Sequence, residues 1–371
     1  MATSPNYAWA EPDNSSLVKN GASDIRTLGD AIDTSVWNVG FGQAGKNKII
    51  NGNFGINQRS FTTTTAENWL FDRFYARITG DGTATVSAQT FTPGAAPVAG
   101  YESTNYVRFV TSGQTSTAVR TTLRQTIEDV RTFAGQPVTV SFWAKAATGT
   151  PKVALLLSQG FGTGGSASVD TAVGAATIST SWARYSLTVT LPSITGKTIG
   201  TGSRLLMDLA ISAGSDFNTP YSSIGIQNNT FEFWGVQAEY GLKMTPFQTA
   251  SGGSPQAELA MCQRYYIRQD FTSGNAVYYA TGIGVSTTRS FQYIALPVSM
   301  RTAPSLAYGG TPAVSDTNTS TNVTNILFYS TTNGNQQLTI DARTASGLTQ
   351  FRPYFLLLGA SGQFIELSAE L

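Results

Sequence analysis

The acidic side chains are the first place to look for chemistry. Glycoside hydrolysis needs two carboxyls at a defined separation across a cleft. The candidate pairs are Glu232 with Glu239 and Glu128 with Asp129. Glu128 and Asp129 are neighbours and point in different directions on any regular element. Glu232 and Glu239 differ by an odd number and would face opposite sides of a straight strand. The glycine run Gly160-Phe161-Gly162-Thr163-Gly164-Gly165 lacks the Gly-Lys-Ser/Thr ending and the following helix of a phosphate loop, so it reads as a connection between strands. Asp216 and Asn218 could bind calcium, but no Asp-x-Asp-x-Asp-Gly loop surrounds them, and capped turns fit better. The chain has no histidine and one cysteine. That removes Ser-His-Asp and Cys-His arrangements, imidazole metal ligands and internal disulfides. The expectation is a protein that is not an enzyme, with no cofactor and no metal site.

Aromatic residues are the remaining resource, at 11% of the chain. Sugar recognition uses aromatic faces for the C–H-rich surface of a sugar and amides or carboxylates for its hydroxyls. Trp182, Tyr185, Asn218 and Tyr221 lie in or beside loops and are the candidate glycan-binding set. The competing reading places them in the core or in a subunit interface. Trp69, Trp143 and Trp234 sit in strand-like runs and are expected in the core. Cys262 is expected to be a small buried hydrophobe.

Charge narrows the partners. With 23 Lys+Arg against 22 Asp+Glu, the net charge is +1, which leaves no electrostatic footprint for nucleic acid or an anionic membrane. The densest apolar stretches, 153–157 and 354–358, are about five residues long, against the roughly 20 a membrane helix needs. Membrane insertion is therefore not expected. Met1-Ala2-Thr3-Ser4-Pro5 lacks the basic and apolar regions of a secretory signal. Work outside a cell would require another exit, such as lysis.

Three segments would have to position these residues. Residues 1–45 combine an aromatic, proline-broken entry (Tyr7, Trp9, Pro12, Asp13) with a helical pattern. Ser23 or Asp24 is its expected cap, and Ile25, Leu28, Ile32, Val36 and Val39 form one apolar stripe. A lone helix of this length is marginal in water, so the stripe needs a partner: the chain's own globular part, sister copies, or a larger assembly. Residues 41–45 read as a hinge. Residues 46–250 read as many short strands, best seen where Val138, Val140, Phe142 and Ala144 alternate with Thr139, Ser141, Trp143 and Lys145. Stretches 160–175 and 194–203 read as connections. The pattern, with 37 glycines and only 12% charged residues, predicts a mostly β chain built on a jelly-roll β-sandwich. Residues 251–371 begin with a short linking helix capped by Ser254 and Pro255, with Leu259, Cys262 and Tyr266 on one face. A second, smaller β-sandwich follows, with a hairpin turn at Asn333-Gly334 and a polar loop at 309–324.

Four groups of residues carry a resemblance. Lys48-Ile49-Ile50-Asn51-Gly52-Asn53-Phe54, then Asn57-Gln58-Arg59 and Trp69-Leu70-Phe71-Asp72-Arg73-Phe74, resembles the opening of a domain common in phage tail-fibre and tailspike proteins. Ser141-Phe142-Trp143-Ala144-Lys145-Ala146, Gly235-Val236-Gln237-Ala238-Glu239-Tyr240 and Thr245-Pro246-Phe247 resemble its middle and end. That domain is similar to jelly-roll carbohydrate-binding modules. The stretch from Glu258 to Tyr266 and the ending Ile365-Glu366-Leu367-Ser368-Ala369-Glu370-Leu371 resemble the link and terminus of phage fibres. Tyr7-Ala8-Trp9-Ala10-Glu11-Pro12-Asp13-Asn14, with the residues from Ile25 to Asp33, is similar to N-terminal segments of phage virion proteins. Gly55 departs from the pattern, where an acidic residue would be expected, which puts a structural cation in doubt.

The resemblance implies a virion fibre component, homotrimeric, assembled in the host cytoplasm and released by lysis. Trp9, Ile25, Leu28 and Ile32 would anchor it to other virion proteins, and the β domains would bind a host-surface glycan. The alternative it leaves open is a capsid decoration, head-fibre, neck or tail structural protein without receptor recognition.

Overall fold

The computed structural model describes residues 2–4, 9–12, 17–39, 45–98, 101–271, 277–332, 335–359 and 362–371. Tyr7, Asp13, most of the expected hinge and the Asn333-Gly334 turn lie outside them, although the strands flanking that turn are paired, with Thr332 opposite Gln337.

The chain is mostly β, and its centre is a jelly-roll sandwich of two six-stranded antiparallel sheets. The first sheet runs in the order Val169–Thr177, Lys152–Gly160, Arg204–Ala213, Arg120–Ile127, Phe74–Thr79, Asn68–Trp69. The second runs Ala183–Thr190, Pro137–Ala146, Thr230–Tyr240, Asn105–Ser112, Thr83–Thr90, Thr63–Thr64. Their facing sides hold the core, where Val138, Val140, Phe142 and Ala144 meet Val153, Leu155, Leu157, Leu209 and Ile211. The expected connection at 160–175 is half strand. Val169–Thr177 is rich in alanine and threonine, and it pairs along the edge of the first sheet with no fully buried residue.

In place of a second sandwich, six strands of the distal unit close into a barrel, with a three-stranded sheet beside it. Alternating inward and outward residues suit either architecture. Closure depends on register, and the 13-residue strand Ser320–Thr332 slips twice against Gln337–Thr344, at 323–325 and 328–330, which bends it around. The polar stretch 309–324 contains the short barrel strand Ala313–Ser315 and the start of Ser320–Thr332 rather than a free loop.

The N-terminal helix spans Gly21–Val39 and is entered through a 3-10 turn at Val18–Asn20. Ser23 is therefore not its cap: its hydroxyl lies inside the helix and donates to the Asn20 carbonyl at 2.7 Å. The linking helix Pro255–Gln263 starts as expected, with Ser254 Oγ accepting from Ala257 N at 3.3 Å and proline in the first turn. Its buried face carries Glu258 and Cys262, while Leu259 is only half-buried and Tyr266 begins the next strand. Among the described residues no helix is long and apolar enough to cross a membrane.

Candidate functional site

The strand Thr230–Tyr240 decides which side chains meet on the outer face of the second sheet. Phe231 and Phe233 point into the core, so Glu232 between them points outward, while Trp234 is fully buried. Glu232 lies opposite Lys145, and Arg108 lies opposite Glu232 on its other side. The three charges converge: Arg108 Nε donates to Glu232 Oε1 at 2.7 Å, and Lys145 Nζ is 2.9 Å from Glu232 Oε2. Together with Val110, Thr180 and Thr230 they line an open cleft of about 460 Å³. Glu232 is almost wholly buried and its two cations are about one-third exposed. The cleft thus offers two cations to one carboxylate. Burial works against the charge of Arg108, but the hydrogen bond and field of Glu232 outweigh it, so its pKa is raised.

Aromatic rings border the charges. The Lys145 ammonium sits 5.4 Å from the centroid of Trp182, within cation–π range. Arg108 Nη2 donates to the Tyr106 hydroxyl at 3.3 Å. Tyr106, Trp182 and Phe91 pack on one another with centroids 4.6–5.7 Å apart, which fixes the two outer rings.

Of the expected glycan set, Trp182 and Tyr185 fall at this sheet, but not in the same role. Tyr185 packs on Phe142 of the core, and its hydroxyl bonds to Ser179. Asn218 and Tyr221 are elsewhere, over the outer face of the first sheet. Tyr221 is buried there among Ala154, Leu156 and Ala210, and its hydroxyl donates to Asp208 Oδ2 at 2.9 Å, so it offers no face to a ligand. Asn218 is exposed. Trp234 is fully buried, with its Nε1 donating to Ser103 Oγ at 2.6 Å, but Trp143 and Trp69 are only half-buried and are not core residues.

The imagined carboxylate pairs are otherwise engaged. A bulge between Trp234 and Gln237 places Glu239 opposite Thr139, six residues from Lys145 on the neighbouring strand. The odd spacing therefore still brings Glu232 and Glu239 to one face, contrary to the straight-strand expectation. They stand roughly 20 Å apart at about 3.4 Å per residue, too far for a hydrolytic pair. Glu239 is buried and accepts from Thr245 N, Thr245 Oγ1 and Gln237 Nε2 at 2.6–2.8 Å. Glu128 is held by Arg264 and Tyr265, and Asp129 by Arg131. The glycine run is a turn closed by the bridge between Thr163 and Thr201, with Gly162 at φ 79°. Cys262 is buried, and burial pushes its thiol well up.

The cleft had a signal in the sequence that reading for loops missed. In a chain this poor in charge, Arg108, Lys145 and Glu232 each stand between two apolar residues of a strand, Val107 and Phe109, Ala144 and Ala146, and Phe231 and Phe233. Of the expected anchoring residues, Ile25 is 66% and Ile32 38% exposed, while Leu28 and Trp9 are half-buried.

The sequence matches no known family model and no curated protein. Among solved structures, the chain is similar to the enzymatically active domain of tailspike protein 4 of bacteriophage CBA120, with 14% identity, TM-score 0.32, and coverage of 53% of this chain and 22% of that one. It is similar to the CBM22-2 xylan-binding domain from Paenibacillus barcinonensis Xyn10C, with 16% identity, TM-score 0.30, and coverage of 48% and 98%. It is also similar to a cyclase from Fischerella, with 14% identity, TM-score 0.34, and coverage of 54% and 99%.

Proposed function

We propose that the chain is a non-catalytic fibre component of a phage virion, held to the particle by its N-terminal segment, and that its sandwich binds a host-surface glycan through the outer face of the second sheet. The observation that carries the glycan reading is the cleft of Arg108, Lys145 and Glu232 bordered by the rings of Tyr106 and Trp182. The rings supply stacking surface, and the charged groups supply hydrogen bonds to hydroxyls. One cation in excess favours a saccharide that carries a carboxylate. The virion assignment rests on the ordered sequence resemblance and on the open stripe of the N-terminal helix. Three copies per fibre would multiply weak single-site binding.

The test is retardation of the full chain in gels containing an acidic polysaccharide, polygalacturonate or alginate. Trp182→Ala and Lys145→Ala should each weaken it by about three- to tenfold, and added salt should weaken it further. Wild-type migration unaffected by either polymer, with the protein folded, rejects the site.

A further inference from the structure

We propose that the distal unit carries a second ligand site, in the cleft between its barrel and its three-stranded sheet, and that this site takes an uncharged oligosaccharide. It rests on observations separate from the sandwich cleft and would stand if that site failed.

The cleft measures about 590 Å³. One wall is the barrel, with Tyr278 and Tyr279 from the strand Val277–Gly284 and Tyr293 from Arg289–Ala295. The other is the end of the linking helix and the strand Tyr266–Phe271, with Gln263, Arg268 and Gln269. Neighbouring residues of a regular strand face opposite ways, so Tyr278 and Tyr279 should not share a wall. Here the pairing slips: Tyr278 stands opposite Leu357 and Ala280 opposite Leu356, leaving Tyr279 as the extra residue of a bulge. The bulge turns both side chains to the cleft, a re-aiming that bulges supply beside binding sites.

The rings are held and open. Tyr278 packs on Phe355 at 5.0 Å and Tyr279 on Phe271 at 5.4 Å, while Tyr278 and Tyr293 remain 55% and 54% exposed. None of the three phenol hydroxyls hydrogen-bonds to another described residue, although burial raises the pKa of Tyr279 and keeps it a protonated donor. Arg268 is committed, at 2.8 Å to Asp270 and 3.3 Å to Glu366, so the cleft presents no free charge. Exposed rings, unpartnered hydroxyls and two amides without net charge match an uncharged, hydroxyl-rich ligand with apolar C–H faces. A flat protein partner would leave the recessed hydroxyl of Tyr279 without an acceptor.

The experiment is electrophoresis of the full chain through gels containing a neutral polysaccharide (dextran, mannan, galactomannan or mixed-linkage β-glucan), beside polygalacturonate as the acidic control. At least one neutral polymer should retard the wild type. The double substitution Tyr278→Ala with Tyr293→Ala should weaken that retardation about tenfold or more, because two stacked rings are lost. Tyr279→Phe, which keeps the ring and the fold, should weaken it less. Trp182→Ala should leave it unchanged while lowering retardation by polygalacturonate, so the two sites fail separately. Absence of retardation by every neutral polymer, or retardation that the folded double variant retains in full, overturns the proposal.

Discussion

The two places where the sandwich meets the rest of the chain are built in opposite ways. Towards the barrel, the joint is made of buried charge and aromatic rings. Glu370, near the end of the chain, reaches back to Arg59 at 2.9 Å and to Arg73. The guanidinium of Arg59 lies 3.5 Å over Tyr266, and that of Arg73 lies 3.5 Å over Tyr265. Glu258 of the linking helix accepts from the backbone N–H of Asn51 at 2.5 Å and of Ser251 at 2.8 Å. Towards the N-terminus, the helix Gly21–Val39 leaves Ile25 and Ile32 in solvent. Directional, desolvated contacts fix one geometry, whereas an open apolar stripe leaves room for a partner. The sandwich and barrel are thus joined by fixed contacts, whereas the N-terminal helix keeps Ile25 and Ile32 exposed.

The largest effect expected is from Arg73→Ala. The side chain is 1% exposed, and burial lowers its pKa to about 10, so it is a cation at neutral pH. Removing it takes one of two cations from the nearly buried Glu370 and strips the stacking from Tyr265. Breaking such a pair costs about 3–5 kcal/mol, read as a lower midpoint in thermal or denaturant unfolding. A melting curve matching the wild type would mean that the joint is not held by this pair. Glu258→Ala should follow at about 2–3 kcal/mol, because it orphans two buried backbone donors. Protease cleavage near 251–254 should accelerate alongside it, which a change confined to the core would not produce.

How much of this could be read from the sequence follows from the range of each interaction. The sandwich strands were legible because alternation is local, as in Val138 to Ala144 against Thr139 to Lys145. The bulges at 234–237 and 278–280 were not, since a one-residue slip leaves the residue pattern intact and changes only which faces align. They account for what was missed: Glu239 on the face of Glu232, and two adjacent tyrosines in one cleft. The joint was equally hidden, because Arg73 and Glu370 are 297 residues apart in the chain. The residue types in the opening stretch from Lys48 to Phe54 have a physical reason in part. A Cβ at Gly52 would lie 2.1 Å from the Val236 carbonyl oxygen, and Asn51, at φ 61°, donates to the carbonyls of Ile56 and Asp72.

A smaller effect separates the exposed rim of the joint from its centre. Burial opposes the charge of Glu128, but hydrogen bonds from Arg264 and Tyr265 outweigh it and hold the pKa below the ordinary glutamate value. An acid with a lowered folded pKa adds stability above its unfolded pKa, about 4.3, and that stability is lost as pH falls through the folded value. The pair is 33% and 41% exposed, so screening holds its contribution under about 1 kcal/mol. Wild type should exceed Glu128→Gln slightly at pH 7, and the gap should close below pH 4. A gap that persists at pH 3 would assign the difference to shape rather than charge.

The smallest effect on stability is expected where the effect on assembly should be greatest. Ile25→Asp with Ile32→Asp places two carboxylates on the open stripe, at positions that touch little of the chain's own body. Surface changes of this kind shift unfolding by less than about 0.5 kcal/mol, so the melting of the sandwich and barrel should not move. If the stripe is where sister copies meet, light scattering should show a trimer for the wild type and a monomer for the variant, because charges buried between apolar helices are strongly unfavourable. A variant that stays trimeric places the trimer contacts elsewhere. A variant that also melts early would mean that the helix packs on the body in solution, and the contrast between a fixed joint and a free end would be lost.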